Sequence, residues 1–498
     1  MHAQGKVVAP NVLRRLSVRM GTAGLCLAAS TAWGQGAIPT DELRATLEQQ
    51  RQVAVTIYND DLALIKDVRR LNLPAGLAAL AFRDVSARIR PETAQLRGLG
   101  GSSMALRVLE QNFDFDLLSP QKLLEKYVGQ TVGVVRTHPT TGAESTENAH
   151  VLAVNGGVVL RMGDRIETGV PGRLTFPGVP QRLRDRPTLV MQIDSQRAGE
   201  HDLELSYLTS GLGWRADYVA ELGPDDKLLD LSGWVTLTNT SGTSYRNARL
   251  QLVAGEVNRA APEAVPMQRM GVLAAPAPAR MASDMSEQAL FEYHLYTLER
   301  PTTLAENQTK QVALLSASAV PVRKEFVLRG ADYYYRTVAS ELGRKLKIGV
   351  FIEFDNKSAS HLGVPLPKGV VRVYKQDQSG NAQFVGEDRI DHIPRNEKVR
   401  LKLGQAFDIT ADKRQTDFRQ TSDDNRKNAI FESAFEITLR NGKDEAVKVQ
   451  VQEPIPGDWK MLQSSHPHSK AASNLATWSI TVPPQGSTLL TYRVQTRW

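Results

Sequence analysis

Cysteine is almost missing from this chain, with a single residue, Cys26, among 498. It lies inside an N-terminal stretch that reads as a removable export signal. The remaining chain is therefore expected to have no disulfide, no thiol nucleophile and no thiolate metal site, and to be held together by packing alone. Long apolar runs are missing too. The run at residues 21–33 (GTAGLCLAASTAW) is shorter than the ~20 residues a membrane helix needs, and no later segment is long and charge-free enough, so no transmembrane segment is expected. Aromatic residues are few, 31 in all. That is too few for the girdles of an outer-membrane barrel, although the terminal residues Leu490, Tyr492, Val494, Thr496 and Trp498 alternate as a barrel strand would. Linear catalytic signatures are also absent. There is no glycine-rich phosphate loop, HExxH, CxxC, GxSxG or properly spaced calcium loop, so no common enzyme class is supported and no cofactor is expected.

What is present begins with the leader. Lys6, Arg14, Arg15 and Arg19 precede the apolar run, no acid interrupts them, and Ala32-Trp33-Gly34 places small residues where a signal peptidase requires them. Residues 1–34 are expected to be a signal peptide cleaved before Gln35, giving a periplasmic or extracellular protein. Leu25 ahead of Cys26 does not suit a lipoprotein signal, and Ser17 does not suit a twin-arginine signal. Removing the leader leaves 57 basic against 54 acidic residues, so the net charge falls from +7 to +3. A balance so near neutral, with no basic cluster interleaved with aromatics, excludes nucleic acid as the expected partner.

The most informative stretch is 203–257. Leu203, Leu205 and Tyr207 alternate with Asp202, Glu204 and Ser206. Trp214, Ala216, Tyr218, Ala220 and Leu222 then face one way, with Arg215, Asp217 and Glu221 opposite. Leu229, Leu231, Val235 and Leu237 repeat the pattern up to Asn239. This period of two, punctuated by Gly211, Gly213 and the 240–242 turn, predicts antiparallel strands with one buried face.

The strings LSYLTSGLGWRADYVAEL, GWVTLTNTSGTSY and LVAGEVN in this stretch resemble the domain-of-unknown-function 4139 family of exported bacterial proteins, which is related to proteins labelled mucoidy inhibitor A. The resemblance implies secretion and a β-rich fold. It brings no established catalytic residue.

Elsewhere the pattern predicts a hairpin from 53–58 and 62–71 around Asn59-Asp60-Asp61, and a short helix opened by Ser119-Pro120. Short glycine-bounded strands follow. The overall expectation is a mainly β chain of tandem antiparallel, immunoglobulin-like β-sandwiches with an inserted small SH3-like barrel. Its parts are a discontinuous N-terminal sandwich (35–118 and 181–259), the inserted barrel (119–180), an Ala/Pro/Met linker (260–286), a middle β-domain (287–410) and a C-terminal sandwich (411–498). One internal echo stands out. VTLTN, IEFDN and ITLRN each end an apolar strand on asparagine, at Asn239, Asn356 and Asn441, before a polar turn. Two readings fit it, related sandwiches or the general suitability of asparagine at strand ends.

The most ligand-like feature is Tyr333-Tyr334-Tyr335. Read as a strand, it exposes at least one ring for stacking on a sugar or anchoring a protein, and packing of the rings in the core and at the sheet edge is the simpler reading. Other chemistry has simpler explanations. Ser119 and Lys122 have catalytic spacing, but helix capping accounts for the serine. Asp423-Asp424-Asn425 lacks the other ligands of a calcium loop, and His466-Pro467-His468 lacks companions for a metal. Met267, Met270, Met281 and Met285 are soft enough for copper but follow no repeated spacing. No metal site is expected. The leading functional expectation is a non-catalytic cell-envelope protein that binds a protein or polysaccharide. The competing one is an envelope-polysaccharide hydrolase whose Asp/Glu pair converges only in three dimensions.

Overall fold

Alternation along the strands decides which faces meet, and the computed structural model shows where they do so. It describes residues 42–100, 106–114, 116–180, 183–258, 285–339, 341–377, 379–422 and 429–497. The expected signal peptide with Cys26, nearly all of the expected linker and Asp423-Asp424-Asn425 lie outside the described residues. Among those described there is one α-helix, Pro120–Lys126, and the rest of the regular structure is mostly strand. None of the sheets closes on itself.

The expected first hairpin forms from Gln50–Tyr58 and Leu62–Leu73, and the latter also pairs with Gly199–Thr209. A second, four-stranded layer (Glu42–Ala45, Gly76–Arg83, Leu106–Asp114 and Thr188–Ser195) contributes Leu80, Phe82, Leu189, Met191 and Ile193 to the same core. Leu212–Leu222 and Leu228–Asn239 follow as an antiparallel pair, with Ala216, Tyr218, Ala220, Leu229, Leu231, Val235 and Leu237 buried as their alternation requires.

Three long strands, Gln308–Arg329, Glu341–Asp355 and Lys398–Ser422, run from this first core into a second one. Within Gln308–Arg329, Val312 and Val320 belong to the first core and Phe326 and Leu328 to the second. Lys398–Ser422 divides in the same way, with Val399 and Leu401 on one side and Ile409 and Ala411 on the other. The expected boundary at 410/411 falls within a continuous strand, because bulges and bends let one strand serve two cores without a linker.

The insert differs from the expected closed barrel. Its five strands form an open sheet whose edges are Arg165–Thr168 and Arg173–Thr175. Strands of three and four residues at those edges are too short to curl round and pair. The insert nonetheless has a core of its own, built from Leu124, Tyr127, Val132, Val134, Val151, Leu160 and Met162.

The asparagine echo turns out to be a repeated structural device. Asn239, Asn356 and Asn441 are all buried. Asn239 Nδ2 donates to the carbonyls of Thr243 and Leu304, Asn356 Nδ2 to those of Val364 and Pro394, and Asn441 Nδ2 to those of Glu445 and Pro483. Each Oδ1 accepts a backbone N–H, from Ser241, Gly363 and Lys443 respectively. One amide therefore closes its own turn and pins it to a distant segment. The strand after each latch pairs in parallel with an earlier strand. Tyr245–Ala254 joins Gln50–Tyr58, Gly369–Gln376 joins Leu212–Leu222, and Val447–Pro454 joins the end of Gln308–Arg329.

Candidate functional site

The tyrosine run does not form a strand. Tyr333–Tyr335 is one turn of 3₁₀ helix, so its rings do not alternate. Tyr333 is 59% exposed, whereas Tyr334 and Tyr335 are buried at 3% and 0%. Only Tyr333 can meet a partner, and its ring rests edge-on against Tyr334 at 5.2 Å. The two inner hydroxyls instead converge on a buried carboxylate. Tyr334 and Tyr335 donate to Glu453 Oε2 at 2.5 and 3.0 Å, and Lys413 Nζ lies 2.6 Å from the same oxygen. The Tyr335 hydroxyl is also 2.9 Å from that of Tyr492. Phe435 packs against Tyr334, Tyr335 and Tyr492. Gly330 completes the enclosure, since a Cβ there would fall 2.3 Å from Glu453 Oε2. Burial pushes both tyrosine hydroxyls far above their ordinary range, so they remain protonated donors. The cluster is closed to any substrate approaching from solvent.

An accessible arrangement lies on the outer face of the middle sheet, where Ala382–Ile390, Gly369–Gln376, Leu212–Leu222, Leu228–Asn239 and Gln308–Arg329 lie side by side. The same parity that buries Val235 and Leu237 turns Trp234 outward, and the ring is 40% exposed opposite Asp217. A polar row flanks it. Gln311 Nε2 donates to Thr236 Oγ1 at 3.1 Å, and Thr236 Oγ1 donates to Asp217 Oδ2 at 2.7 Å. Arg372 Nη1 reaches Asp217 Oδ1 at 3.1 Å, and Arg215 Nε reaches Oδ2 at 3.2 Å. Further along, Tyr374 and Phe384 meet edge to face, with Phe384 55% exposed. Burial alone would raise the Asp217 pKa, but the Thr236 and Arg372 hydrogen bonds and the two guanidinium charges bring it below the ordinary value. Asp217 is thus a fixed acceptor rather than a proton donor. This face offers rings for stacking beside preset hydrogen-bonding groups, on a rigid sheet. Sequence reasoning passed over Trp234, although its outward parity was readable between Gly233 and Val235.

The remaining candidates have structural occupations. Ser119 Oγ accepts the Lys122 backbone N–H at 3.1 Å as a helix cap, while Lys122 Nζ pairs with Glu125. The His468 ring lies against Trp459 and Trp478, and His466 Nδ1 is 2.9 Å from Ser465 Oγ. Met285 is a core residue; Met267, Met270 and Met281 lie outside the described residues. Among the described residues no three His, Cys, Asp or Glu side chains gather to hold a metal, and no helix is long and apolar enough to cross a membrane.

One histidine should be felt in stability. His392 Nδ1 accepts the Lys368 backbone N–H at 3.2 Å, and Nε2 is buried without a partner. Burial, helped by the Lys368 charge, lowers its pKa below 6.5. As pH falls through that value the unfolded chain takes up a proton that the folded chain resists, so stability should decline there. His392→Gln should flatten this part of the stability-pH curve in urea titrations. An unchanged slope would show that other groups govern it.

The comparison with known families now has a structural frame. The family model described as a domain of unknown function, DUF4139, matches residues 203–498, which is 296 of the 498 residues. The chain belongs to the DUF4139 family. The matched region contains the Trp234 face, the three asparagine latches and the Lys413–Glu453 cluster. No curated protein shows significant similarity to the chain.

Proposed function

We propose that this DUF4139 protein is an exported, non-catalytic cell-envelope protein whose immunoglobulin-like sandwiches present the Trp234 face to an envelope polysaccharide. The observation that carries the reading is the outward Trp234 ring set beside Thr236, Gln311, Asp217 and Arg372 on adjacent strands of one sheet. The apolar face of a sugar ring stacks on an indole, while amide, hydroxyl, guanidinium and carboxylate groups meet its hydroxyls. The basic leader, with its apolar run and small-residue cleavage site, supports export. The repeated latch followed by a parallel strand supports the relatedness of the sandwiches.

The test is co-sedimentation of the purified protein with extracted envelope polysaccharide and with peptidoglycan, while released sugars are followed. Trp234→Ala should abolish most of the retention and shift the urea midpoint little, because removing a partly exposed ring costs only about 1 kcal/mol or less. Retention unchanged by Trp234→Ala would remove this face from the proposal. Release of fragments would instead favour the hydrolase.

A further inference from the structure

We propose that Lys413 and Glu453 condense into an intramolecular amide bond that staples the two layers of the C-terminal sandwich. Lys413 stands on Lys398–Ser422, which pairs with Glu341–Asp355 and Ala429–Asn441. Glu453 stands on Val447–Pro454, which pairs with the end of Gln308–Arg329 and with Leu475–Val482. The two side chains meet across the core. They are 3% and 0% exposed, and Nζ and Oε2 are 2.6 Å apart.

An ammonium and a carboxylate together contain the atoms of one amide and one water, so the step needs no co-reactant. What normally prevents it is the charge on both partners, and water that stabilises those charges is excluded here. Burial favours neutral Lys413 against the opposing influence of Glu453. The ammonium also faces the rings of Tyr334 at 3.9 Å and Phe435 at 5.1 Å.

Tyr334 supplies the proton path. Its hydroxyl accepts from Lys413 Nζ at 2.5 Å and donates to Glu453 Oε2 at 2.5 Å, so it bridges the nucleophile and the leaving oxygen. The backbone N–H of Ala331 donates to the same hydroxyl at 2.8 Å and fixes it in place. Nζ gives one proton directly to Oε2 and a second through the Tyr334 hydroxyl, which passes its own proton on and regains one. The Nζ lone pair forms the bond to Cδ, the Cδ–Oε2 bond breaks, and Oε2 leaves as water. No atom is oxidised or reduced. Glu453 Oε1, buried without a hydrogen-bond partner, becomes the amide carbonyl oxygen. A lone carboxylate oxygen in that position is costly, and a neutral amide oxygen is less so. The staple occupies the role that a disulfide would fill in a sandwich with cysteine.

The test is a mass measurement on the full chain expressed in bacteria. The expected wild-type result is a branched tryptic peptide joining the segments around Lys413 and Glu453, one water lighter than their sum, with Lys413 resistant to amine-reactive labelling in denaturant. Tyr334→Phe should retain the two side chains but leave much of the population unlinked, and Lys413→Arg should abolish the branched peptide. Recovery of wild-type linear peptides, with trypsin cleavage after Lys413 and full labelling of its amine, would overturn the proposal. That reading uses wild-type protein, so it does not depend on the variants folding.

Discussion

Lys413→Met should lower unfolding stability by at least about 3–5 kcal/mol, because it leaves the buried Glu453 carboxylate without its partner and also removes the proposed staple. The residue left behind is the reason. Glu453 is wholly buried, and without Lys413 only the Tyr334 and Tyr335 hydroxyls would attend its carboxylate. Two hydrogen bonds from neutral donors do not compensate a lone carboxylate in an apolar core. Replacing both residues, Lys413→Met with Glu453→Leu, should regain the share of the loss due to the lone carboxylate, since the apolar pair needs no desolvation compensation. Urea unfolding of the three proteins checks this. A Lys413→Met midpoint equal to wild type would show that the lysine is not coupled to the core.

Asn356→Ala should cost about 3 kcal/mol, far more than deletion of a surface amide. The side chain of Asn356 makes three bonds to backbone, from Nδ2 to the Val364 and Pro394 carbonyls at 2.8 and 2.9 Å, and to Oδ1 from the Gly363 N–H at 3.0 Å. Alanine would remove the partner of all three buried backbone groups at once. Asn356→Asp should be harmful as well, because a carboxylate cannot donate to the two carbonyls. Thermal unfolding of both variants beside Asn239→Ala and Asn441→Ala would test the latch as a repeated device. A loss near zero at all three positions would reduce the echo to a habit of turn composition.

The strands were legible because burial on one face leaves a period of two, and Leu229, Leu231, Val235 and Leu237 carried it without ambiguity. The asparagine echo was legible for a related reason, since a side chain that closes a turn must sit at the strand end. The buried pair was half legible. Lys413 follows Ile409 and Ala411 at inward positions, and Glu453 follows Val447, Val449 and Val451. Each is a charge where the pattern asks for an apolar residue. That they answer each other is invisible in a linear reading, because 40 residues separate them and they stand on strands joined only through two others.

Other failures trace to geometry that sequence does not encode locally. The tyrosine run was read as a strand, but it forms a 3₁₀ turn in which Tyr334 and Tyr335 are drawn inward by Glu453, Phe435 and Tyr492 from distant segments, while Tyr333 stays exposed. The insert was read as a barrel, yet closure depends on whether two edge strands are long enough to meet, and they are not. The expected boundary at 410/411 lies in mid-strand, and no local signal marks where a strand bends from one core into the next.

By itself, the sequence determined a mainly β chain with outward and inward faces along each strand, with turns fixed by asparagine and glycine, and, with its one cysteine, without an intramolecular disulfide. These are local properties, set by the geometry of an extended backbone and by the separation of apolar from polar side chains. The tertiary structure alone decided that two cores share three continuous strands, that Trp234 and its polar row form one surface, and that Lys413, Glu453 and the tyrosines meet in a buried core. Such meetings depend on which strands pair and how they bend, and those choices are made by packing across the whole chain.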